Sequence, residues 1–256
     1  MRGRPGRASF PRSKHRKRRV INVKRLILSL LLTLLAVEVT VAAFTSPWFG
    51  IKKVRLIGNE TIASRDILRQ LDLRPDSNIF RISKRAMARR VMGNPVVKEV
   101  RFYRRLPSAL IVRITERAPD LTLNAAGRMY EVDSAGVPFR AVRRAKLEAT
   151  VLSCKVPRRI VLGRPIRASS FGVARKCLLL VRKKKIFQVT EITVDQNNDL
   201  CLNVRDGFQV KLGRPEQLSA KLNMAARIVK QIPEFRQRGA YMDLTVPEAP
   251  ALKYKE

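Results

Sequence analysis

The run Leu26–Phe44, LILSLLLTLLAVEVTVAAF, restricts this chain more than any other stretch. It holds 19 residues and one charge, Glu38. At about 1.5 Å of rise per residue, a helix of that length reaches roughly 28 Å, close to the hydrocarbon thickness of a bilayer. Apolar residues lie all round it, which argues against a helix that turns one face to a soluble core and the other to water. Its flanks differ. Lys24 and Arg25 stand immediately before it, behind the cluster His15-Arg16-Lys17-Arg18-Arg19, whereas Thr45-Ser46-Pro47-Trp48-Phe49 follows. Positive flanks stay in the cytoplasm, so the N-terminus is expected inside and the bulk of the chain outside. Trp48 and Phe49 suit the outer interface, where amphipathic rings settle. The apolar region of a signal peptide is shorter, about 7–15 residues, yet Val41-x-Ala43 has the pattern of a cleavage site, and cleavage stays open. Glu38 is read as a carboxyl tolerated through snorkelling or a water defect.

Charge narrows the partners. The formal net charge is +34. Residues 1–25 carry eleven Lys/Arg and no acid, and the part from Thr45 onward carries 43 Lys/Arg against 19 acids, so the excess runs through the whole chain. Such a field attracts polyanions: nucleic acid, anionic lipid or acidic proteins. The expected topology keeps the outer part away from the genome. Arg2-Gly3-Arg4-Pro5 has the core of a minor-groove arm. A single copy in a juxtamembrane tail is read instead as a solvated positive-inside segment that also touches anionic lipid. The clusters Lys183-Lys184-Lys185 and Arg81/Lys84/Arg85/Arg89/Arg90 are read as solvated faces, with lipid headgroups, an anionic envelope polymer or an acidic partner as the functional alternative.

Residues that carry chemistry are scarce. The one histidine, His15, lies in the basic tail, so no Ser-His or Cys-His pair is expected in the folded part. No glycine-rich phosphate loop occurs. Asp133, Asp195 and Asp243 are isolated in sequence and read as acids that organise turns and strand ends. Cys154, Cys177 and Cys201 lack any zinc-ligand spacing. They read as small buried hydrophobes, although one pair could bridge in an oxidising compartment. No catalytic, cofactor-binding or metal-binding residue is assigned.

Past the apolar run, the patterns follow a fixed order. Ile51–Ile57 alternates and stops at Gly58-Asn59, a turn signal. Ser64 is expected to cap a helix with Asp66 in its first turn and Ile67, Leu68 and Leu71 on one face. A second helix is expected from about Ser83 to Met92, with Met87 and Val91 one turn apart, ended by Gly93-Asn94-Pro95. A strand follows over Val96–Arg104. After Leu106-Pro107-Ser108 comes another strand, with Leu110, Val112 and Ile114 on one face and Arg113 and Thr115 on the other.

This β-α-α-β-β order resembles a POTRA domain. So do three motifs: Gly58-Asn59-Glu60-Thr61-Ile62, Asn94 through Val100, and Arg105-Leu106-Pro107 through Glu116-Arg117-Ala118-Pro119. A POTRA domain directly after one transmembrane helix and a short basic tail is similar to the bacterial cell-division family FtsQ/DivIB. The second part of the chain is similar to the same family. Gly127–Phe139 reads as a hairpin with an Asp133-x-x-Gly136 turn, where the family's β-rich domain begins. Residues 169–181 look helical, with Val173, Cys177 and Leu180 in register. Strands are expected near 189–195, 199–205 and 208–212, separated by Asn197-Asn198 and Asp206-Gly207. Pro215 is expected as a first helical residue, ahead of the stripe Leu218, Leu222, Ala225 and Val229. Tyr241–Val246 is similar to a strand of the family.

The resemblance implies an α+β fold: a basic tail (1–25), a transmembrane helix (26–44), a POTRA domain (50–118) and a β-rich domain with flanking helices (119–256). It implies a non-enzymatic role without cofactors, in which a single-pass inner-membrane protein recruits and links division proteins of FtsB and FtsL type at the septum. A POTRA-bearing component of an outer-membrane translocation or assembly system is the alternative. Physically, the final strand of an open sheet offers unpaired backbone groups to another chain. Pro247 and Pro250 guard the approach to the last segment and leave Ala251, Leu252, Lys253 and Tyr254 open. The resemblance places partner binding there, with Tyr241 and Tyr254 as aromatic positions and the flanking lysines favouring an acidic partner.

Overall fold

A computed structural model describes residues 23–74, 76–157 and 159–255 of the chain; most of the basic tail, with its His15 cluster and Arg2-Gly3-Arg4-Pro5, lies outside the described residues. Helix α1 (Val23–Thr45) is long and apolar enough to cross a membrane, and none of its residues is buried. Its hydroxyls find partners within the helix. Ser29 donates to the Leu26 carbonyl, Thr33 to Ser29, Thr40 to Ala36 and Thr45 to Val41, all at 2.7–2.8 Å. An apolar surround therefore leaves no hydroxyl here unpaired. A single 3-10 turn, Pro47–Phe49, follows, with Ser46 Oγ accepting from the Trp48 N–H.

The first sheet has three strands, β1 (Lys53–Ile57), β2 (Val97–Arg105) and β3 (Ala109–Glu116). Their order is β1-β3-β2, with β3 central, parallel to β1 and antiparallel to β2. Helices α2 (Ser64–Leu71) and α3 (Lys84–Val91) supply Ile67, Leu71, Met87 and Val91 to a core that closes on Leu110, Val112 and Ile114. Two expectations fail in α2. Ser64 is its first residue rather than its cap: Ala63 holds the extended cap position, and the Ser64 hydroxyl accepts from the Asn59 amide. Leu68 points to solvent instead of joining Ile67 and Leu71. Ser83 does cap α3, accepting from the Ala86 N–H.

The family-like motifs turn out to be joints. Gly58 adopts φ +84°, and a side chain there would collide with the Ile114 carbonyl. The loop that Gly58 opens wraps the Glu116 carboxylate, which accepts from the N–H groups of Glu60, Thr61 and Ile62 and from the Thr61 hydroxyl. The neighbouring Arg117 donates to the Pro95 carbonyl and to Asp133. Asp133 in turn accepts from the N–H groups of Ala135 and Val137, fixing the hairpin turn of the second sheet. Arg140 reaches back to the Thr61 hydroxyl at 2.9 Å. Two adjacent residues, Glu116 and Arg117, thus tie both sheets together.

The second sheet has nine strands: β4 (Leu121–Ala125), β5 (Arg128–Val132), β6 (Pro138–Val142), β7 (Val151–Ser153), β8 (Val189–Val194), β9 (Leu200–Val204), β10 (Gln209–Gly213), β11 (Gly239–Asp243) and β12 (Ala251–Tyr254). Their order is β12-β11-β10-β9-β8-β7-β4-β5-β6. The sheet is open, with strands of three to six residues, shorter than the roughly 9–11 residues a membrane barrel strand needs. Helices α4 (Ser169–Lys184) and α5 (Leu218–Gln231) pack on one face, where Leu123, Leu152, Ile192, Leu202, Val210 and Met242 are buried with Cys177, Leu178, Leu222 and Ala225. In α4 the buried stripe is Phe171, Ala174, Cys177, Leu178 and Val181, so Val173 and Leu180 lie at its margins. Pro215 is not in a helix: α5 starts at Leu218. The connector before it is held by the Lys221 ammonium, which donates to the Leu212 and Arg214 carbonyls at 2.6 and 2.9 Å. At the β6 end, Pro138 has no N–H, and its carbonyl accepts from the Gly163 N–H at 2.7 Å.

Candidate functional site

Strand β12 stands at the far end of this sheet and pairs only with β11. The chain reaches it through a turn in which Ala249 N–H bonds the Val246 carbonyl. Pro247 and Pro250 flank that turn, and neither can donate to a ladder. Two hydrogen bonds set which backbone groups face outward. Lys255 N–H donates to the Arg238 carbonyl on the β11 side, and Leu244 N–H donates to Lys211 on the β10 side. Alternation along an antiparallel pair then turns the N–H groups of Lys253 and Ala251 toward β11 and those of Leu252 and Tyr254 outward. The outer side of β12 is an open half-ladder.

The register also decides where the side chains go. Tyr241 lies opposite Lys253 and Asp243 opposite Ala251, on the face away from the helices. Met242 lies opposite Leu252 on the core face. Tyr254 shares the Leu252 face, where its ring meets Phe235 edge-on at 5.5 Å. Phe235 is fully buried and continues a ladder through Phe208 (5.4 Å) to Phe187 (6.0 Å). The two tyrosines therefore occupy opposite faces of the edge and do not form one aromatic patch. The Lys211 ammonium sits 4.0 Å from the centre of the Tyr241 ring, a cation–π contact that fixes the ring from its own face. Tyr254 is 43% exposed while packing on Phe235, so truncating it disturbs the core as well as the edge.

Electrostatics on the outward face are positive. Lys253 and Lys255 are exposed, and Lys211 is half-buried. Burial pushes the Asp243 carboxyl up, but the Thr245 N–H and hydroxyl and the charges of Lys211 and Lys221 outweigh it and hold the group below its usual range. Asp243 is thus a fixed, satisfied anion that organises the strand end.

No reactive centre converges here. Among the described residues, no three His, Cys, Asp or Glu side chains come together to hold a metal. The three cysteines are unpaired. Burial pushes the Cys177 thiol up to about 12 and that of Cys154 to about 11, which keeps both protonated and poor as nucleophiles. Sequence reasoning missed Lys211 and Phe235. Lys211 matters through the pairing of β10 with β11 and Phe235 through its ring packing on Phe208 and Tyr254, both set by the fold alone.

Comparison with known proteins bears out the resemblance. Residues 49–117 match the family described as POTRA domain, FtsQ-type, and residues 122–245 match the family described as cell division protein FtsQ/DivIB, C-terminal. The second match ends before β12. The chain is 27% identical over 242 residues to a cell division protein FtsQ from Syntrophotalea carbinolica, covering 88% of this chain and 84% of that protein. It is 24% identical to a cell division protein DivIB from Clostridium tetani, covering 82% and 78%. It is 26% identical to an FtsQ from Streptomyces collinus, covering 88% and 86%.

Proposed function

Because the chain belongs to the FtsQ/DivIB family of cell-division proteins, we propose that it is a non-enzymatic linker of the division machinery. In this reading, residues 1–25 lie in the cytoplasm and residues 26–44 cross the inner membrane once. Outside, two domains, residues 50–118 and 119–256, hold small bitopic proteins of FtsB and FtsL type at the septum. The observation that carries the reading is the bare outer side of β12. A partner segment adds there as a further strand, with main-chain bonds supplying affinity and side chains supplying choice. Lys253, Lys255 and Lys211 favour an acidic segment, and the ring of Tyr241 offers a large, rigid contact surface beside them.

The test uses the full-length protein in detergent with a purified FtsB-type partner. Tyr241→Ala combined with Lys253→Glu alters only the face away from the core. It is expected to weaken partner binding by about tenfold or more, roughly 1.4 kcal/mol or more, while the melting curve stays near that of the parent. Lys98→Glu, an exposed change on the first sheet, should leave binding intact. Undiminished binding by the double variant would remove the edge from the mechanism.

A further inference from the structure

The end of the first sheet nearest α1 carries a basic rim that the edge β12 does not use. It is locked to the helix rather than tethered. The Asn78 amide donates to the Ala43 carbonyl at 3.0 Å, and the Phe80 ring meets Phe44 at 5.8 Å and Phe49 at 5.2 Å. The Ile79 N–H donates to the Phe49 carbonyl at 2.8 Å, and the Ile51 N–H to Ser77 at 3.0 Å. The β2–β3 turn is brought to the same level. Lys52 N–H donates to the Ser108 carbonyl, Arg104 bonds the Phe80 and Ile82 carbonyls, and Lys53, Ala109 and Arg105 form one row across the sheet.

Lys52, Arg81, Lys84 and Arg105 are exposed on this end. None of them lies within ion-pair distance of a described carboxylate; Asp72, which lines the groove beside Arg81 and the end of α1, is paired with Arg90 at 2.9 Å. Asp76 is the one carboxylate between Leu73 and Arg85. Two large apolar side chains share the rim: Trp48 is 75% exposed and Leu106, at the hairpin tip, 56%. Unpaired cations interleaved with an exposed indole and an exposed leucine match the layered chemistry of a bilayer surface, phosphate outside and hydrocarbon just beneath.

We infer that this rim seats the first domain on the outer leaflet of the membrane that α1 crosses. The four cations bind anionic phospholipid headgroups, and Trp48 and Leu106 enter the interface. The inference rests on the reading of α1 as a membrane span.

The full-length protein reconstituted into vesicles tests it, with a reporter at the hairpin tip, far from α1 in sequence. Trp48 is the chain's one tryptophan, so Trp48→Phe combined with Leu106→Trp moves the fluorescence to the tip. Expected is a blue-shifted emission quenched by brominated acyl chains, stronger when phosphatidylglycerol is added to phosphatidylcholine. Adding Arg81→Glu and Arg105→Glu should return the emission to that of a water-exposed indole. A water-like emission, quenched equally by aqueous iodide in both vesicles while the protein resists alkaline carbonate extraction, overturns the rim and leaves the span standing. A shift produced by soluble polyglutamate and not by phosphatidylglycerol overturns it in favour of an acidic polypeptide. Release of the protein by carbonate removes the span itself, and the rim inference with it.

Discussion

Leu110→Asp is expected to unfold the first domain. Leu110 is fully buried in β3, paired with Val54 on one side and Arg104 on the other, under the side chains of α2 and α3. The substitution removes roughly 2–3 kcal/mol of apolar burial. It also places a carboxyl among Ile67, Leu71 and Met87, where no described group is positioned to pair with it. Together these exceed about 5 kcal/mol, the lower end of what stabilises a whole domain. Leu110→Ala creates only a cavity and is expected to cost about 2–5 kcal/mol. Limited proteolysis of the full-length variants in detergent, followed by melting curves, should rank them parent, Leu110→Ala, Leu110→Asp. If Leu110→Asp melts like the parent, the assignment of β3 to the centre of the sheet is wrong.

Glu116→Gln is the second large effect, and it carries a pH signature. The amide keeps the shape of the carboxylate but loses its charge. One of its two ends is now a donor facing the N–H groups of Glu60, Thr61 and Ile62. Hydrogen bonds to a charged acceptor contribute about 1.5–3 kcal/mol, and partial exposure of the site keeps the expected loss near the middle of that range. Burial pushes the Glu116 carboxyl up, but the Thr61 hydroxyl and the three backbone N–H groups more than offset it and hold the group below its ordinary value of 4.5. Its folded pKa is depressed, so its contribution is complete above the unfolded pKa and fades as pH falls through the folded one. The gap in stability between parent and Glu116→Gln should therefore be widest at neutral pH and close on acidification below about 4. A gap that does not change with pH would mean that the carboxylate is not the charged acceptor described here. Because Thr61 also receives Arg140, the substitution should loosen the contact between the sheets, visible as faster amide exchange in β6.

Much of the fold was legible in the sequence where a pattern ran long enough to show its period. Leu110, Val112 and Ile114 alternate over a full strand, and Leu218, Leu222, Ala225 and Val229 recur over three turns; all seven are buried. The stretch 140–168 gave no such signal. It hides β7, three residues long, which joins β4 to β8 by parallel pairing on both sides and so links the two halves of the sheet. Three residues have no measurable period. The edge position of the last strand was legible from the two prolines that precede it. The faces of Tyr241 on β11 and Tyr254 on β12 were not. A one-residue change of register exchanges the two faces, and the bulge between Gly239 and Tyr241 lies in this pairing. The polar joints were visible only as motifs. Glu116 and Arg117 stood out by resemblance, but their partners, 54–56 and 16 residues away, are set by tertiary structure alone.

The nine-stranded sheet has two ends, and they are not equivalent. At β6 the ladder is interrupted, since Pro138 cannot donate and its carbonyl is already taken by Gly163. At β12 the half-ladder is bare. The two edges therefore differ in what they offer: β6 is capped at its Pro138 end, while the outer side of β12 is open along its length. If β12 takes a partner segment as we propose, each copy of the protein holds one such segment there, and the number of segments held at a site follows the number of copies delivered to it, as a count rather than as a concentration.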